Sequence, residues 1–188
     1  MIFSFISIFL NVFSWTWYIF KQFKNNKTSP SIWLATFISM GGDFFVTWDF
    51  SNFLKSLSFG ISFFFCGILL TVYFKKDKIN EWRFDLLTST TIIFSIISLF
   101  FLYSNPIVTL INSIFFALLS TINFLKDMIN QKSKEPFDIW FLSFLINLFM
   151  LLGIVGGNKL ALILPTINLI GCLLISLVSL ILAKTHKY

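Results

Sequence analysis

The sequence predicts an all-α polytopic membrane protein with seven transmembrane helices, arranged as two parallel three-helix repeats joined by a linker helix (3+1+3). Three observations carry that reading. Of the 188 residues, 57% are hydrophobic and only 12% charged, with a mean hydropathy of +0.87, a balance that a single soluble domain does not have. Apolar runs near the length needed to cross a bilayer recur along the chain, each broken by a lysine-bearing or turn-forming segment. The plan of Ser14 to Phe45 also returns about a hundred residues later, from Ser120 to Phe149. In both stretches an apolar span leaves through a lysine (Lys21, Lys126) and crosses a polar, lysine-rich segment. It then re-enters through Pro30 and Trp33 in the first copy, Pro136 and Trp140 in the second.

The elements follow in order. Met1 opens directly into an apolar run that ends at Phe20, with no basic leader or small-residue cleavage site, and reads as a retained first span. Span 2 is expected over residues 32–48, span 3 over 54–74 and span 4 over 86–103. Ser104-Asn105-Pro106 then makes a turn. Span 5 covers 107–125, span 6 covers 139–156 and span 7 covers 160–183. The whole chain, 1–188, is one membrane domain. It divides into a first repeat over 1–74, a cytoplasmic loop with linker helix over 75–104, and a second repeat over 105–188.

Charge then sets the orientation. With seven spans, twelve of the fourteen lysines and arginines share one face, and only Lys55 and Lys159 fall on the other. By the excess of basic residues in cytoplasmic loops, the N-terminus is outside and the C-terminus in the cytoplasm of a bacterial inner membrane or a plasma membrane. The net charge of +6 is therefore a topology signal and not a nucleic-acid signal. An odd linker between two triplets gives both the same orientation, as in parallel repeats about an axis normal to the membrane.

The segment SWTWYIFKQFKNNKTSPSIW, from Ser14 to Trp33, followed by Gly42-Asp43-Phe44-Phe45, resembles the PQ-loop pattern of the SWEET and PQ-loop membrane protein superfamily. Pro165, Asn168 and Gly171 of LPTINLIG are similar to the Pro-Asn-Gly pattern in the last helix of that group. Thr16-Trp17 and Ile122-Asn123 stand where the proline-glutamine pair would be. A second likeness is to small, poorly characterised bacterial membrane proteins with a Lys-Thr-x-Pro-x-x-Trp segment, here Lys27 to Trp33. The first resemblance implies a transporter or facilitator of a small polar solute, sugar-like or otherwise neutral, working by alternating access. The alternative is a non-transporting receptor, scaffold or assembly protein of the same fold, with its activity in the cytoplasmic loops Lys75 to Asp85 and Lys126 to Asp138. The expected partners are the lipid bilayer and that solute, without nucleic acid, and a homo-oligomer is left open.

Asp43 is the one acidic residue well inside an expected span, about five residues or 7.5 Å of helix rise from its outer end. A carboxylate there is costly. It either binds a proton, a cation or a polar solute, or pairs with Lys55 across a short turn. Intramembrane amides form the next signal: Asn11, Asn112, Asn123, Asn147 and Asn168. They suit a neutral solute or serve as interhelical glue. Asn147 falls near the repeat equivalent of Asp43, and Pro165 frees a backbone carbonyl near Asn168, a candidate hinge. The expected binding set is thus Asp43, Asn147 and Asn168, with Asn11 and Asn112 secondary and Pro165 as hinge. Trp33, Trp48 and Trp140 read as interface anchors. Trp15 and Trp17 point to different sides of one helix, so one of them faces the bundle.

Enzyme signatures are missing from the sequence: no histidine lies in a span, and no carboxylate pair or phosphate loop is visible. Cys66 and Cys172 sit in apolar runs and read as small buried hydrophobes, and His186 has no ligand partners nearby. The expectation is no enzyme, no cofactor and no metal.

Overall fold

The computed structural model describes residues 2–25, 30–50, 53–75, 105–130, 135–155 and 158–185, with a few positions between Leu86 and Ile97. Every regular element among them is helical: α1 (Ile2–Asn25), α2 (Pro30–Phe50), α3 (Phe53–Lys75), α4 (Pro106–Ile129), α5 (Phe137–Ile154), a short 3-10 turn (Lys159–Leu162) and α6 (Ile163–Thr185). Six of the seven expected spans thus have a helix. Of the fourth, only scattered helical positions between Leu86 and Ile97 are described, and the rest of it, with the loop before it, lies outside the described residues.

Local chemistry explains the breaks. Asn105 caps α4, its side-chain oxygen accepting the Ile107 and Val108 amides at 3.0 and 3.4 Å, and Pro106 occupies the first turn where a missing N–H costs nothing. Pro136 precedes α5, with Asp138 in its first turn, where a negative charge suits the helix dipole. Asn158 caps the 3-10 turn through the Leu160 amide.

Among the described residues, four stretches are long and apolar enough to cross a membrane: Ile2–Lys21, Leu110–Ile129, Phe137–Ile154 and Lys159–Lys184, with Ser56–Val72 a shorter apolar helix. The side chains are arranged to match. Large apolar groups such as Phe9, Phe64 and Ile181 face outward, while Ser4, Ser7, Asn11 and Ser14 of α1 are buried. A soluble helix would reverse this, and in hydrocarbon small polar residues belong between helices.

The helices form a closed ring of contacts in the order α1, α3, α2, α4, α6, α5 and back to α1. In each triplet the third helix lies between the first and second. Across the triplets, the first helix of each meets the second of the other. Paired contacts fix the directions. Ser7 meets Ser58 and Trp15 meets Ser62, so α1 and α3 run parallel. Gly41 packs on Phe63 and Gly67 on Phe37, so α2 opposes α3. Gly42 meets Ser113 and Trp33 meets Phe124, so α2 also opposes α4. Lys21 meets Asp138 and Ser4 meets Gly153, so α1 opposes α5. Asn147 meets Cys172 and Glu135 meets Ser179, so α5 opposes α6.

Helices α1, α3, α4 and α6 therefore share one direction, and α2 and α5 the other. Two consequences follow. Lys21, Lys75, Lys126 and Lys184 gather at one end of the bundle, while Lys55 and Lys159 lie toward the other. Lys75, which ends α3, and Asn105, which opens α4, lie at opposite ends.

Glycines set the closest approaches. A β-carbon on Gly60 would sit 3.0 Å from the Phe44 ring, and one on Gly41 or Gly67 would crowd Phe63 or Phe37 at 3.1 Å. The rings of Phe37 and Phe63 stack at 4.4 Å, so α2 and α3 interlock. On the α1–α5 contact, a β-carbon on Gly153 would lie 2.8 Å from Ser4 Oγ and 3.5 Å from its backbone nitrogen. A hydroxyl can rotate away, but a backbone cannot. Gly153→Leu is expected to cost about 1–3 kcal/mol by overpacking and Gly153→Ala much less, both read by thermal unfolding in detergent. Equal effects would mean that the Ser4 backbone is not the wall.

Candidate functional site

A cavity of about 130 Å³ opens along the axis of the ring, walled by all six helices. By volume it holds about four waters or one small organic molecule. An apolar cluster lies toward each end of it. Tyr18, Trp33, Phe124, Met128 and Ile139 belong to the cluster at the lysine-rich end, and Leu110, Ile146, Met150 and Leu164 to the one at the opposite end.

The wall is layered along the axis. Aromatic rings come first at the lysine-rich end, where Trp33 lies 5.2 Å from Tyr18, 5.9 Å from Trp15 and 5.6 Å from Phe124, with Phe124 in turn 5.0 Å from Trp140. Hydroxyls follow: Ser14, Thr36, Ser120, Thr121 and Ser143. Amides Asn11 and Asn147 come next, and then Asp43 and Asn168. Trp33 and Asp43 are ten positions apart on α2, about 15 Å of helix rise.

Wall residues of similar chemistry also recur at fixed spacings along the chain. On α2 it is made by Trp33, Thr36, Met40 and Asp43, and on α5 by Trp140, Ser143, Asn147 and Met150, each pair 107 positions apart. On α1 it is Asn11, Ser14, Trp15 and Tyr18, and on α4 Ala117, Ser120, Thr121 and Phe124, each pair 106 apart. Ser62 and Asn168, on α3 and α6, are likewise 106 apart, as are the buried Cys66 and Cys172. Spacings of 3-4-3 on α2 and α5, and of 3-1-3 on α1 and α4, keep each quartet on one helix face. The extra residue between Pro136 and Trp140 accounts for the one-step difference in α5. This register pairs Asn147 with Met40, and Asp43 with Met150. The sequence reading put Asn147 opposite Asp43, which is one helical turn away.

Asp43 is fully buried, and neither of its carboxylate oxygens has a hydrogen-bond partner. Ser113 and Asn168 approach it closely enough to act on it electrostatically, but neither hydrogen bond is closed. Asn168 Nδ2 is itself buried without a partner. The proposed alternative partner, the Lys55 side chain, lies outside the described side chains.

The other candidates divide. Asn11 is engaged with α3: its Nδ2 donates to Ser58 O and, at 3.1 Å, to Ser62 Oγ, which also receives Trp15 Nε1 at 3.0 Å. It lines the cavity while acting as interhelical glue. Asn147 Nδ2 donates to Ser143 O of its own helix at 2.8 Å and meets Cys172 Sγ at 3.9 Å. Asn112 is half-buried and is not part of the cavity wall. Pro165 is buried in the first turn of α6, directly after the 3-10 turn, where its ring interrupts no hydrogen bond of the α-helix interior. Four of the five binding candidates therefore meet in one cavity, and the candidate hinge lies at a helix start.

Two tryptophans differ from expectation. Trp33 is only 3% exposed because Tyr18, Trp15 and Phe124 enclose it. Trp140 is half-buried and faces the cavity, so neither is a plain interface anchor. Trp48 is exposed near the end of α2, and of the α1 pair Trp15 faces the bundle while Trp17 faces outward, as expected.

The sequence reading missed Glu135. It is buried beside the start of α5, its carboxylate accepting Trp140 Nε1 at 2.9 Å and the Tyr18 hydroxyl at 3.4 Å. Its backbone carbonyl accepts Ser179 Oγ. One residue thus ties α1, α5 and α6 across the aromatic layer. The available signal was a lone acid next to a helix-starting proline in a lysine-rich loop. The hydroxyl layer was missed too, although Ser14, Thr36, Ser120 and Ser143 sit at helical spacing from the amides and acid.

Comparison with protein-family models, with curated proteins and with solved structures finds no match.

Proposed function

We propose that this chain is a seven-span, SWEET- and PQ-loop-like membrane transporter or facilitator that carries a small polar solute by alternating access between two parallel triplets. The observation that carries the reading is the polar cavity at the junction of the triplets, walled by helix faces that recur at a spacing of 106 or 107 positions. Cavities between repeats are where such proteins bind their cargo. A scaffold has no use for an axial cavity lined with hydroxyls and amides.

The 3+1+3 arrangement is supported by the placement of Lys75 and Asn105 at opposite ends of a bundle about 34 Å long. The gathering of lysines at one end supports a cytoplasmic C-terminus. Helices α1 and α4 run unbroken through Thr16-Trp17 and Ile122-Asn123, so the triplets rock as bodies and do not hinge where the proline-glutamine pair would stand.

Uptake by proteoliposomes tests this. The protein is expected to give saturable uptake of a small polar solute from a panel of sugars, polyols, amines and amino acids. Ser143→Trp, which fills the hydroxyl layer, is expected to abolish that uptake while the helix content is unchanged. Flux that survives the plug, or a protein that moves no member of the panel, would sink the reading.

A further inference from the structure

The cavity holds an acid as well as hydroxyls and amides, and that acid narrows what it accepts. Asp43 is wholly buried with both carboxylate oxygens unpartnered, and no lysine, arginine or histidine is among the described wall residues. A lone carboxylate in a desolvated bundle is costly. An occupant that brings positive charge to Asp43 removes that cost.

The opposite end of the cavity favours the same sign for a separate reason. Trp15, Tyr18, Trp33, Phe124 and Trp140 face it with aromatic rings. Ring faces carry negative quadrupole density, so they attract cations and repel anions. Between the two ends, Met40 and Met150 offer soft, adaptable apolar surface.

We propose that the cavity binds a small organic cation, an ammonium-bearing solute whose nitrogen neutralises Asp43 while its carbon body lies against Met40 and Met150, the aromatic layer being a second cation-favouring station along the same cavity. This takes the transport reading as its frame and names the class of solute. A neutral polyol leaves the carboxylate unpaired, and an anion meets it with like charge. A hard metal cation needs six or so oxygen ligands, whereas the amide of Asn168 presents its Nδ2, a donor, near the carboxylate. A bare proton satisfies the acid but leaves the aromatic faces without a role.

Tryptophan fluorescence tests the proposal directly, since Trp15, Trp33 and Trp140 line the cavity. The purified protein is titrated with tetramethylammonium and ethanolamine, and with their neutral counterparts tert-butanol and ethylene glycol, alongside thermal unfolding. Saturable binding with thermal stabilisation is expected for the cations, about tenfold or more tighter than for the neutral counterparts. It is expected to vanish in Asp43→Asn and persist, weakened, in Asp43→Glu. Equal binding of tetramethylammonium and tert-butanol by the unaltered protein would overturn the proposal, a comparison that depends on no variant. So would unchanged cation binding in Asp43→Asn, or a protein stabilised by acid alone. The transport reading fails separately: cations that bind at Asp43 without flux leave the site standing, and saturable flux of neutral solutes without cation binding leaves the transporter standing.

Discussion

Moving the carboxylate across the cavity, by combining Asp43→Met with Met150→Asp, is expected to restore the cation binding that Asp43→Met alone abolishes. Asp43 on α2 and Met150 on α5 are both buried, both line the cavity, and occupy matching places in their quartets. Their helices make matching contacts, α2 with α4 and α5 with α1. Removing one partner of a buried charge pair costs about 2–5 kcal/mol, so the single variant is expected to bind tetramethylammonium about a hundredfold or more weakly. It is also expected to unfold at a higher temperature than the original protein, because an unpaired buried charge has been replaced by an apolar side chain of suitable volume. Met150→Asp alone sets two carboxylates in one cavity and is expected to lower the unfolding temperature. The double variant returns to one charge, on the opposite wall, and is expected to recover binding to within about tenfold of the original. Fluorescence titration and thermal unfolding on the four proteins read all of this. A double variant that binds no better than Asp43→Met would mean that the two walls are not equivalent.

That equivalence was only partly legible in the chain. Hydropathy and lysine placement located the apolar helices, because the demand for continuous apolar length is a property of the sequence itself. The prolines and tryptophans of the two loops share one plan but not one spacing, and it is the tryptophan spacing that continues along the walls of α2 and α5. Pro30 and Pro136 are 106 positions apart while Trp33 and Trp140 are 107 apart, and a one-residue insertion turns a helix face by about 100°. Only the three-dimensional wall shows that Asp43 matches Met150.

The candidate site was read from the residues that are expensive in a membrane, and that criterion found Asp43, Asn11, Asn147 and Asn168. It missed the serines and threonines because a hydroxyl can bond back to its own helix at little cost, as Thr121 does to Ala117 O and Ser176 to Cys172 O. The same criterion ranked Asn11 and Asn168 alike, and the structure separates them. Asn11 has its amide bonded to α3, whereas the Asn168 amide nitrogen is buried without a partner beside a bare carboxylate. Unspent hydrogen-bonding capacity marks a ligand-facing group, and no sequence pattern records it. Trp33 illustrates the converse error. A tryptophan at a helix start reads as an interface anchor until the neighbouring helices are seen to close over it.

Glu135→Ala is expected to open the lysine-rich end of the cavity. The carboxylate accepts hydrogen bonds from Tyr18 on α1 and Trp140 on α5, both members of the aromatic layer, while Ser179 of α6 holds the same residue by its backbone. Those bonds join the first helix of one triplet to the second and third of the other. Losing the side chain removes the acceptor for Tyr18 and Trp140 while the backbone tie to α6 remains, at a cost of about 1–3 kcal/mol in stability. Glu135→Gln keeps an oxygen acceptor and is expected to lose less. Stability alone would not separate a latch from a simple structural bond, but Cys172 supplies a second readout. Its thiol lines the cavity and is nearly buried, whereas Cys66 is fully buried and off the wall. In a Cys66→Ser background, a small methanethiosulfonate reagent is expected to label Cys172 slowly in the original protein and about tenfold faster in Glu135→Ala, the factor that corresponds to about 1.4 kcal/mol of lost closure. Glu135→Gln should fall between them. An unchanged labelling rate, with the same drop in stability, would mean that Glu135 only braces the loop and that the aromatic layer closes the cavity without it.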